Sequence, residues 1–208
     1  MAHKNPNKIL LAGVLLGGAV LLGPASAYAD KYSGFYIGGG GGQSRYLDLS
    51  DICNNQIPGG VTTTCDNKGL AWKAFGGYQF IRYFGVEVGY YDFGKGNIKT
   101  PGGGQVDYKA RGPYLGAVVT VPVFEHISLL ARAGAIRWST KLNPDGTAGF
   151  TGVSDNGINA SFGLGVEYMF NTAFGVRAEW ERFANIGDNA TTGQTNIDLY
   201  SVSGLLRF

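Results

Sequence analysis

The clearest structural signal in the chain is the stretch GLGVEYMFNTAFGVRAEWERFANIGD, residues 163–188. Apolar and polar residues alternate along its first half, where Leu164, Val166 and Tyr168 share one face and glycines and Glu167 share the other. After a short Asn-Thr-Ala break the alternation resumes, with phenylalanine, valine and tryptophan opposite arginine and glutamate. Because successive side chains of a strand point to opposite faces, this stretch predicts two antiparallel strands joined by a tight turn.

The same two-residue period recurs in eight spans along the chain. The predicted strands are 33–46, 70–81, 83–94, 106–122, 127–140, 157–170, 173–186 and 197–208. Long polar gaps at 47–69, 95–105, 141–156 and 187–196 alternate with very short gaps. Long loops on one side and tight turns on the other are typical of outer-membrane barrels. We therefore predict an all-β fold, an eight-stranded antiparallel up-and-down transmembrane β-barrel with long loops outside the cell and both termini in the periplasm.

The direction in which the apolar faces point follows from the size of the barrel. Alternation alone also fits a soluble two-sheet sandwich, which is the alternative. The interior of eight strands is only just wide enough for side chains, so it cannot house most of the 12 Phe, 12 Tyr and 3 Trp. We expect the apolar faces to contact lipid and the polar faces to line a polar interior. A girdle of phenylalanines is predicted beside the short turns, at Phe80, Phe84, Phe170, Phe174 and Phe208.

Residues 1–29 have the features of a secretory signal peptide. Lys4 and Lys8 precede an apolar run, and Ala27-Tyr28-Ala29 has the small-residue pattern of a cleavage site. The alternative, a membrane anchor helix, would need about 20 apolar residues, which is longer than this run. The predicted organisation is a signal peptide at 1–29 and a single barrel domain at 30–208.

The predicted mature part carries no net charge. Two of the 17 lysines and arginines lie in the signal segment, which leaves 15 basic residues against 15 acidic ones. A nucleic-acid-binding domain should have a basic surplus, so nucleic acid is excluded as a partner. The glycine run 38–42 lacks the helix and the Lys-Ser/Thr pair of a phosphate loop, and no other cofactor motif is present. We expect no cofactor and no metal.

Cys53 and Cys65 lie close together in a polar, glycine-rich segment. An exported chain meets an oxidising compartment, and the segment lacks further metal ligands of the right type. We therefore expect a disulfide between them, which would contribute about 3 kcal/mol or less because its loop is short.

Charged residues at inward positions are the strongest candidate site. Buried charges are costly unless they are paired and hydrogen-bonded, so we expect these residues to pair inside the barrel. Two interpretations stay open, a static plug that fills the interior and a gate in a small conductance path. The predicted members are Glu87, Arg132, Glu167, Arg177 and Glu179.

Enzymatic activity is not expected. Hydrolases and acyltransferases usually need a histidine near a serine or a carboxylate. The predicted mature chain has one histidine, His126, which falls in a short periplasmic turn away from the outer leaflet.

Three stretches resemble the membrane domain of the outer membrane protein A family. They are FGGYQFIRYFGVEVGYYDFG (75–94), the region from Gly112 to Thr140 with LLARAGAIRWST, and 163–188 together with the closing SGLLRF. The resemblance covers essentially the whole predicted mature chain and implies an outer-membrane location. It also implies that the barrel-assembly machinery reads the terminal aromatic residue, here Phe208.

The chain departs from that family's pattern in the interior and at its end. The resemblance implies a lumen glutamate that exchanges between an arginine and a lysine, yet the lysine position aligns with Val118 here. A further lumen lysine aligns with Gly40, so a gate of the family's type is not expected unless Lys73 substitutes. We also expect no C-terminal peptidoglycan-binding domain after the eighth strand.

Two functions remain as expectations. The first is an envelope-structural barrel surrounded by outer-membrane lipid and lipopolysaccharide, with at most a weak pore for small solutes. The second is a surface adhesin, host-interaction protein or phage receptor that acts through the loops at 47–69 and 141–156, because function on small barrels often lies in such loops.

Overall fold

The chain forms a closed antiparallel β-barrel. A computed structural model describes residues 33–47, 64–99, 105–144, 153–187 and 194–208. Within these residues the strands are β1 (Gly34–Tyr46), β2 (Thr64–Asp66), β3 (Lys68–Ile81), β4 (Phe84–Lys99), β5 (Gln105–Pro122), β6 (Ile127–Pro144), β7 (Val153–Met169), β8 (Phe174–Ile186) and β9 (Thr195–Arg207). No helix in these ranges is both long and apolar enough to cross a membrane.

Eight of the strands make the wall of the barrel. Each pairs antiparallel with its neighbours in the order β4-β3-β1-β9-β8-β7-β6-β5, and a pairing between β4 and β5 closes the sheet on itself. The short β2 is not part of the wall, because among the described residues it pairs only with the Asn97–Lys99 end of β4. The prediction of an eight-stranded up-and-down barrel is confirmed. We call its two ends the short-turn end and the long-loop end.

All four of the predicted long loops are shorter than expected. Paired backbone continues past the predicted long-loop ends of six strands, and β2 occupies part of the first gap. The sequence pattern stops earlier because alternation of apolar residues is needed only where one face meets lipid, whereas ladder hydrogen bonds form between any residues. The corrected strand ends are Lys68, Lys99, Gln105, Pro144, Val153 and Thr195, in place of 70, 94, 106, 140, 157 and 197.

Two glycines allow local geometry that a side chain would prevent. A Cβ at Gly40 of β1 would collide with the carbonyl oxygen of Val202 on β9, so glycine lets these two strands close the barrel tightly. Gly94 has a φ of 73° and lies where the β4–β5 register shifts between Asp92 and Lys95. This irregularity is a bulge, which bends the strand near the long-loop end.

The outward face is apolar, as predicted. Its exposed large residues include the five phenylalanines of the predicted girdle beside the short turns. Between the turns the exposed positions are mostly leucine, valine and isoleucine, for example Leu164, Val166 and Val202. This continuous apolar belt is the surface that a bilayer requires of a barrel wall.

The interior is not polar throughout, which corrects the expectation from the sequence. Its half nearer the long loops holds an apolar cluster, which consists of Tyr46, Ala71, Tyr91, Phe93, Ala110, Tyr114, Ile136, Trp138, Phe183, Ile186, Ile197 and Leu199. Phe183 is the centre of the ring packing, with centroids 4.7 Å from Phe93 and 5.2 Å from Tyr91. Small alanines from β3 and β5 leave room for these rings, so more aromatic side chains fit inside than barrel size alone suggested.

Substitution by arginine at two depths tests the lipid-facing assignment. Leu164 lies near the middle of the wall and Ile158 near its long-loop edge, and both point outward. We expect Leu164→Arg to lower the free energy of unfolding by about 2–4 kcal/mol and Ile158→Arg by about 0–1 kcal/mol, because the cost of a charge in lipid depends on depth. Denaturant unfolding in lipid vesicles measures both; equal costs would contradict the assignment.

Candidate functional site

A network of ion pairs fills the other half of the interior, between the apolar cluster and the short turns. We call it the interior charge network; its members are Lys73, Glu87, Arg132, Glu167, Arg177, Glu179, Glu181 and Arg207. Four acids thus face four bases. Seven of the side chains are at most 2% exposed, and Arg207, at the short-turn mouth, is 23% exposed.

Strand alternation and small neighbours place these side chains inside. Arg177, Glu179 and Glu181 occupy successive inward positions of β8. Opposite them on β7 stand Gly165, paired with Glu179, and Gly163, paired with Glu181. A Cβ at either glycine would lie within 3 Å of the Cγ of the glutamate it faces. The β7 glycines therefore make room for the two glutamates in a narrow interior.

Glu87 lies at the centre of the network. Its Oε1 accepts hydrogen bonds from Arg177 Nη1 at 2.5 Å and from the Tyr36 hydroxyl at 2.9 Å. Its Oε2 lies 2.8 Å from Arg132 Nη2. One fully buried carboxylate thus joins two guanidinium groups, one from β6, two strands away around the wall, and one from β8, on the opposite side of the barrel.

On the long-loop side of Glu87, two glutamates share two cations. Lys73 Nζ forms an ion pair with Glu179 and another with Glu181, the latter at 2.6 Å. Arg132 Nη1 lies 3.0 Å from an oxygen of each of the same glutamates. The Tyr91 hydroxyl donates to Glu181 at 2.8 Å, so a ring of the apolar cluster is bonded directly to the network.

On the other side of Glu87, the network reaches the opening of the barrel at its short-turn end. Glu167 Oε2 accepts from Arg177 Nη2 at 3.0 Å and from its Nε at 3.2 Å, while Glu167 Oε1 accepts from Arg207 at 2.7 Å. Arg207 borders a cavity of about 570 Å³ that opens between the turns. His126 lines this cavity, exposed in the turn as expected, with its Nδ1 3.0 Å from the Met169 carbonyl oxygen.

Aromatic rings flank the guanidinium groups. The Arg132 guanidinium lies 4.7 Å from the ring centroid of Tyr114, and that of Arg177 lies 5.1 Å from Phe75 and 5.5 Å from Tyr36. Such cation–π contacts are strongest where water is excluded. They surround the charges with apolar surface while leaving the hydrogen-bonding edge of each guanidinium free to meet the carboxylates.

Every acid of the network contacts at least two cations. The result is one connected path of ion pairs from Arg207 at the mouth to Lys73 beneath the apolar cluster. Carboxylates neutralised in this way are poorly suited to acid–base catalysis. Within the described ranges, no three His, Cys, Asp or Glu side chains come together to hold a metal ion.

The structure brings together all five interior residues named from the sequence. Sequence analysis left Glu181 and Arg207 out of the set, although both have inward parity on their strands. Lys73 was named only as a substitute cation, and it lies directly opposite Gly40 in the β1–β3 register. Lys73 therefore projects its ammonium into the interior next to the position that aligns with a family lysine. Val118 is also buried at an inward position, and it adds no charge.

The remaining predicted sites lie at the ends of the barrel. Cys53 lies outside the described residues, and for Cys65 only the backbone, in β2, is described. The disulfide therefore stays a prediction. Phe208 follows β9 at the short-turn end, where its N–H donates to the carbonyl oxygen of Phe35 at 2.9 Å and its ring is exposed.

Comparisons with known proteins agree on one kind of molecule. The family model for the OmpA-like transmembrane domain matches residues 30–208. Outer membrane protein A of Yersinia pseudotuberculosis is 33% identical over 207 residues, covering 96% of this chain and 54% of that protein. The protein of the same name from Shigella flexneri is 35% identical over 169 residues, covering 79% and 45%. The chain thus spans about half the length of the curated relatives it matches.

Solved structures show the same fold at low sequence identity. Neisserial surface protein A has a TM-score of 0.58 at 15% identity, with 85% of this chain and 98% of that chain covered. The outer membrane protein OprG from Pseudomonas aeruginosa has a TM-score of 0.53 at 17% identity, with 86% and 97% covered.

Removing Arg177 tests how strongly the network supports the fold. Arg177→Ala leaves Glu87 and Glu167 each short of a buried cation, so we expect the free energy of unfolding to fall by about 3–5 kcal/mol. Lys109→Ala is the control. It removes a long pair with Asp92, at 3.9 Å, whose lysine side chain is 35% exposed, which should cost about 1 kcal/mol or less. Urea unfolding of both variants measures the difference, and similar small losses would contradict a dry network.

Proposed function

Because the chain belongs to the family of OmpA-like transmembrane domains, we propose that it is a closed structural barrel of the Gram-negative outer membrane. Its location in the outer membrane follows from the family and from the barrel fold. The proposal assigns it an envelope-structural, non-enzymatic role, with an interior that admits at most a weak flow of small solutes.

The filled interior is the observation that carries this proposal. A hydrated ion entering from the short-turn mouth would meet the Glu167–Arg207 pair first, and then the linked pairs around Glu87. Beyond them it would have to cross the apolar cluster, where Tyr91, Phe93 and Phe183 pack ring against ring. Eight strands leave little space beside such side chains, which supports a plug over an open pore.

Surface interaction through the long loops is the second candidate function. It is supported by the hairpins of β4–β5 and β6–β7, whose strands continue past the apolar belt to Lys99 and Pro144 and so raise their loops above the lipid. The proposed Cys53–Cys65 disulfide would tie the first loop to β2, which is itself anchored on β4. Loss of host-cell or phage binding on deletion of residues 145–152, with the barrel still folded, would support this role.

Two features concern export and assembly. We propose that residues 1–29 direct secretion and are removed, consistent with a family match that begins at residue 30. We also propose that the barrel-assembly machinery recognises Phe208, whose exposed ring at the end of β9 is available to a partner.

Single-channel recording in planar bilayers tests the closed interior. We expect the wild-type barrel to be silent or to open rarely, and Phe183→Ala to open more often because it removes the central ring of the apolar cluster. Phe162→Ala, which removes an outward ring, is the control and should not change the current. Frequent, stable openings of the wild-type protein would contradict the proposal.

Assembly in cells tests the role of Phe208. We expect Phe208→Ala to reduce the amount of folded barrel in the outer membrane several-fold, while the purified barrel unfolds at a nearly unchanged denaturant concentration. Phe124→Ala is the control, because Phe124 in the β5–β6 turn is equally exposed, at 72%. Equal loss of assembly in both variants would assign the effect to surface apolarity and not to the terminal residue.

A further inference from the structure

The long-loop end of β7 lacks a partner strand on one of its two sides. On one side, β6 pairs with β7 all the way to Val153. On the other side, β8 pairs with β7 only as far as Phe183, which stands opposite Ser161. Among the residues that the structure describes, the segment 153–160 is therefore bonded to β6 and open toward β8. We call this open side the β7 edge.

A bulge in β8 produces the opening. The register between β8 and β9 shifts between Phe183 and Ile186, and Asn185 within this shift has a φ of 55°. The backbone of Asn185 bonds to side chains at the start of β9, since its N–H donates to Asn196 Oδ1 at 3.0 Å and its carbonyl oxygen accepts from Gln194 at 3.5 Å. A bulge bends a strand and interrupts its pairing. Here it turns the end of β8 toward β9 and away from β7.

Alternate residues of β7 direct both of their backbone groups to the β7 edge. The Met169 N–H donates to a carbonyl oxygen on the β6 side, and the N–H of the next residue, Phe170, donates to one on the β8 side. The β6–β7 register is continuous along the strand, so the even-numbered residues face the β8 side throughout. At the β7 edge these residues are Ser154, Asn156, Ile158 and Ala160.

The β7 edge has few of the features that keep edge strands from pairing. Proteins protect such edges with proline, lysine, bulges or a covering element. The segment 153–160, VSDNGINA, contains neither proline nor lysine, and its register with β6 is regular. The Asp155 carboxylate accepts from the Asn156 N–H at 2.7 Å and so occupies one donor of the edge. An exposed strand of this kind is suited to accept a further strand.

The height of the β7 edge excludes lipid as its partner. Strands tilted by about 40° rise roughly 2.5 Å per residue along the barrel axis, and the apolar band of such barrels is about 25 Å tall. Ile158 lies 11 residues from Met169 at the short-turn end of β7, hence roughly 28 Å from that end and just past the band. Asn156 and Ser154 lie farther out. Acyl chains offer no hydrogen bonds to backbone groups, so the partner comes from outside the cell.

The side chains beside the β7 edge indicate the chemistry of this partner. Ile158 is 71% exposed and offers an apolar contact. On β6, Arg137 pairs in register with Ile158, and Lys141 pairs with Ser154; both cations are exposed on the same outward face. A strand added to β7 would lie two strands from β6, about 10 Å away, which long charged side chains can span. Charge complementarity therefore favours a strand with acidic side chains.

We propose that the β7 edge binds an extended, acidic peptide segment of a protein outside the cell. The segment adds to β7 as an antiparallel strand, in the place that β8 leaves. Backbone hydrogen bonds to Ser154, Asn156 and Ile158 supply the affinity, and outward side chains supply the specificity. An apolar residue lies against Ile158, and acidic residues lie toward Lys141. The inference rests on the surface-interaction role proposed above and names the partner of that role.

Binding of a synthetic peptide tests the proposal. The probe is fluorescein-labelled VTVTETE, whose valines and glutamates would face outward with their N–H groups toward β7, and the folded barrel is held in phospholipid nanodiscs. We expect saturable binding by fluorescence anisotropy. N-methylation of the valines and glutamates should weaken it about tenfold or more, because it removes the donors that face β7. N-methylation of the threonines, whose donors face away, is the matched control and should change the affinity less than about twofold.

Proline in β7 tests the same edge from the side of the barrel. The Asn156 N–H points away from β6, so Asn156→Pro keeps the β6–β7 ladder and places its ring in the path of an added strand. We expect about tenfold weaker peptide binding for this variant and less than about twofold for Asn156→Ala, which keeps the N–H. Heat-shifted gel mobility reports folding, and the methylated peptides decide the question on the wild-type protein should the proline variant not fold.

Two results would overturn the proposal. One is equal binding of the two methylated peptides. The other is slow amide hydrogen exchange at Ile158 in the barrel without peptide, because residues 188–193 or a second copy of the chain would then already cover the edge.

The surface-interaction role can fail separately from the β7 edge. Loss of host-cell or phage binding on deletion of residues 145–152, with binding intact in Asn156→Pro, would overturn the edge and leave the role standing. Edge-dependent peptide binding by a wild-type protein that binds neither host cells nor phage would overturn the role and support the edge.

Discussion

The bonding of Glu87 to two guanidinium groups is the interaction on which the rest of the interior depends. This carboxylate is fully buried, and it meets Arg177 from β8 and Arg132 from β6. Desolvating these charges is costly, and breaking one pair leaves an uncompensated charge behind. Each further ion pair follows from this constraint, because Arg177 and Arg132 each require more acceptors than Glu87 offers. The outcome is a neutral set of four acids and four bases that spans the interior from the mouth to the apolar cluster.

The residues of the barrel wall accommodate these interior ion pairs. Eight strands give a narrow interior, so small residues on a facing strand make room for long charged side chains, as Gly163 and Gly165 do opposite Glu181 and Glu179. The abundance of glycine thus serves the packing of interior side chains as well as the close approach of neighbouring strands. On the other face the same alternation exposes an apolar belt to lipid. Charge, ring and glycine positions are therefore three consequences of one two-residue period in a small closed sheet.

Much of this architecture could be predicted from the sequence, because the period of two and the spacing of turns act locally. Strand number, the outward apolar face and the inward parity of the five charged residues all follow from alternation. The apolar cluster could not be predicted in the same way, since rings such as Phe93 and Phe183 meet across the barrel from distant strands. The ends of β4 to β7 were also missed, because paired backbone above the lipid leaves no apolar pattern. Which cation meets which acid depends on register and tilt, and these emerge only when the sheet closes.

Hydrogen exchange of the arginine side chains tests most directly whether the interior charges are paired and dry. In the refolded barrel with ¹⁵N-labelled arginine, NMR measures the rate at which each arginine side-chain N–H exchanges its hydrogen with water. The account predicts slow exchange at neutral pH for Arg132 and Arg177, which are buried among carboxylates and rings, and fast exchange for the outward Arg111 and Arg137. Equally fast exchange at all four would mean that water reaches the interior freely, and would contradict it.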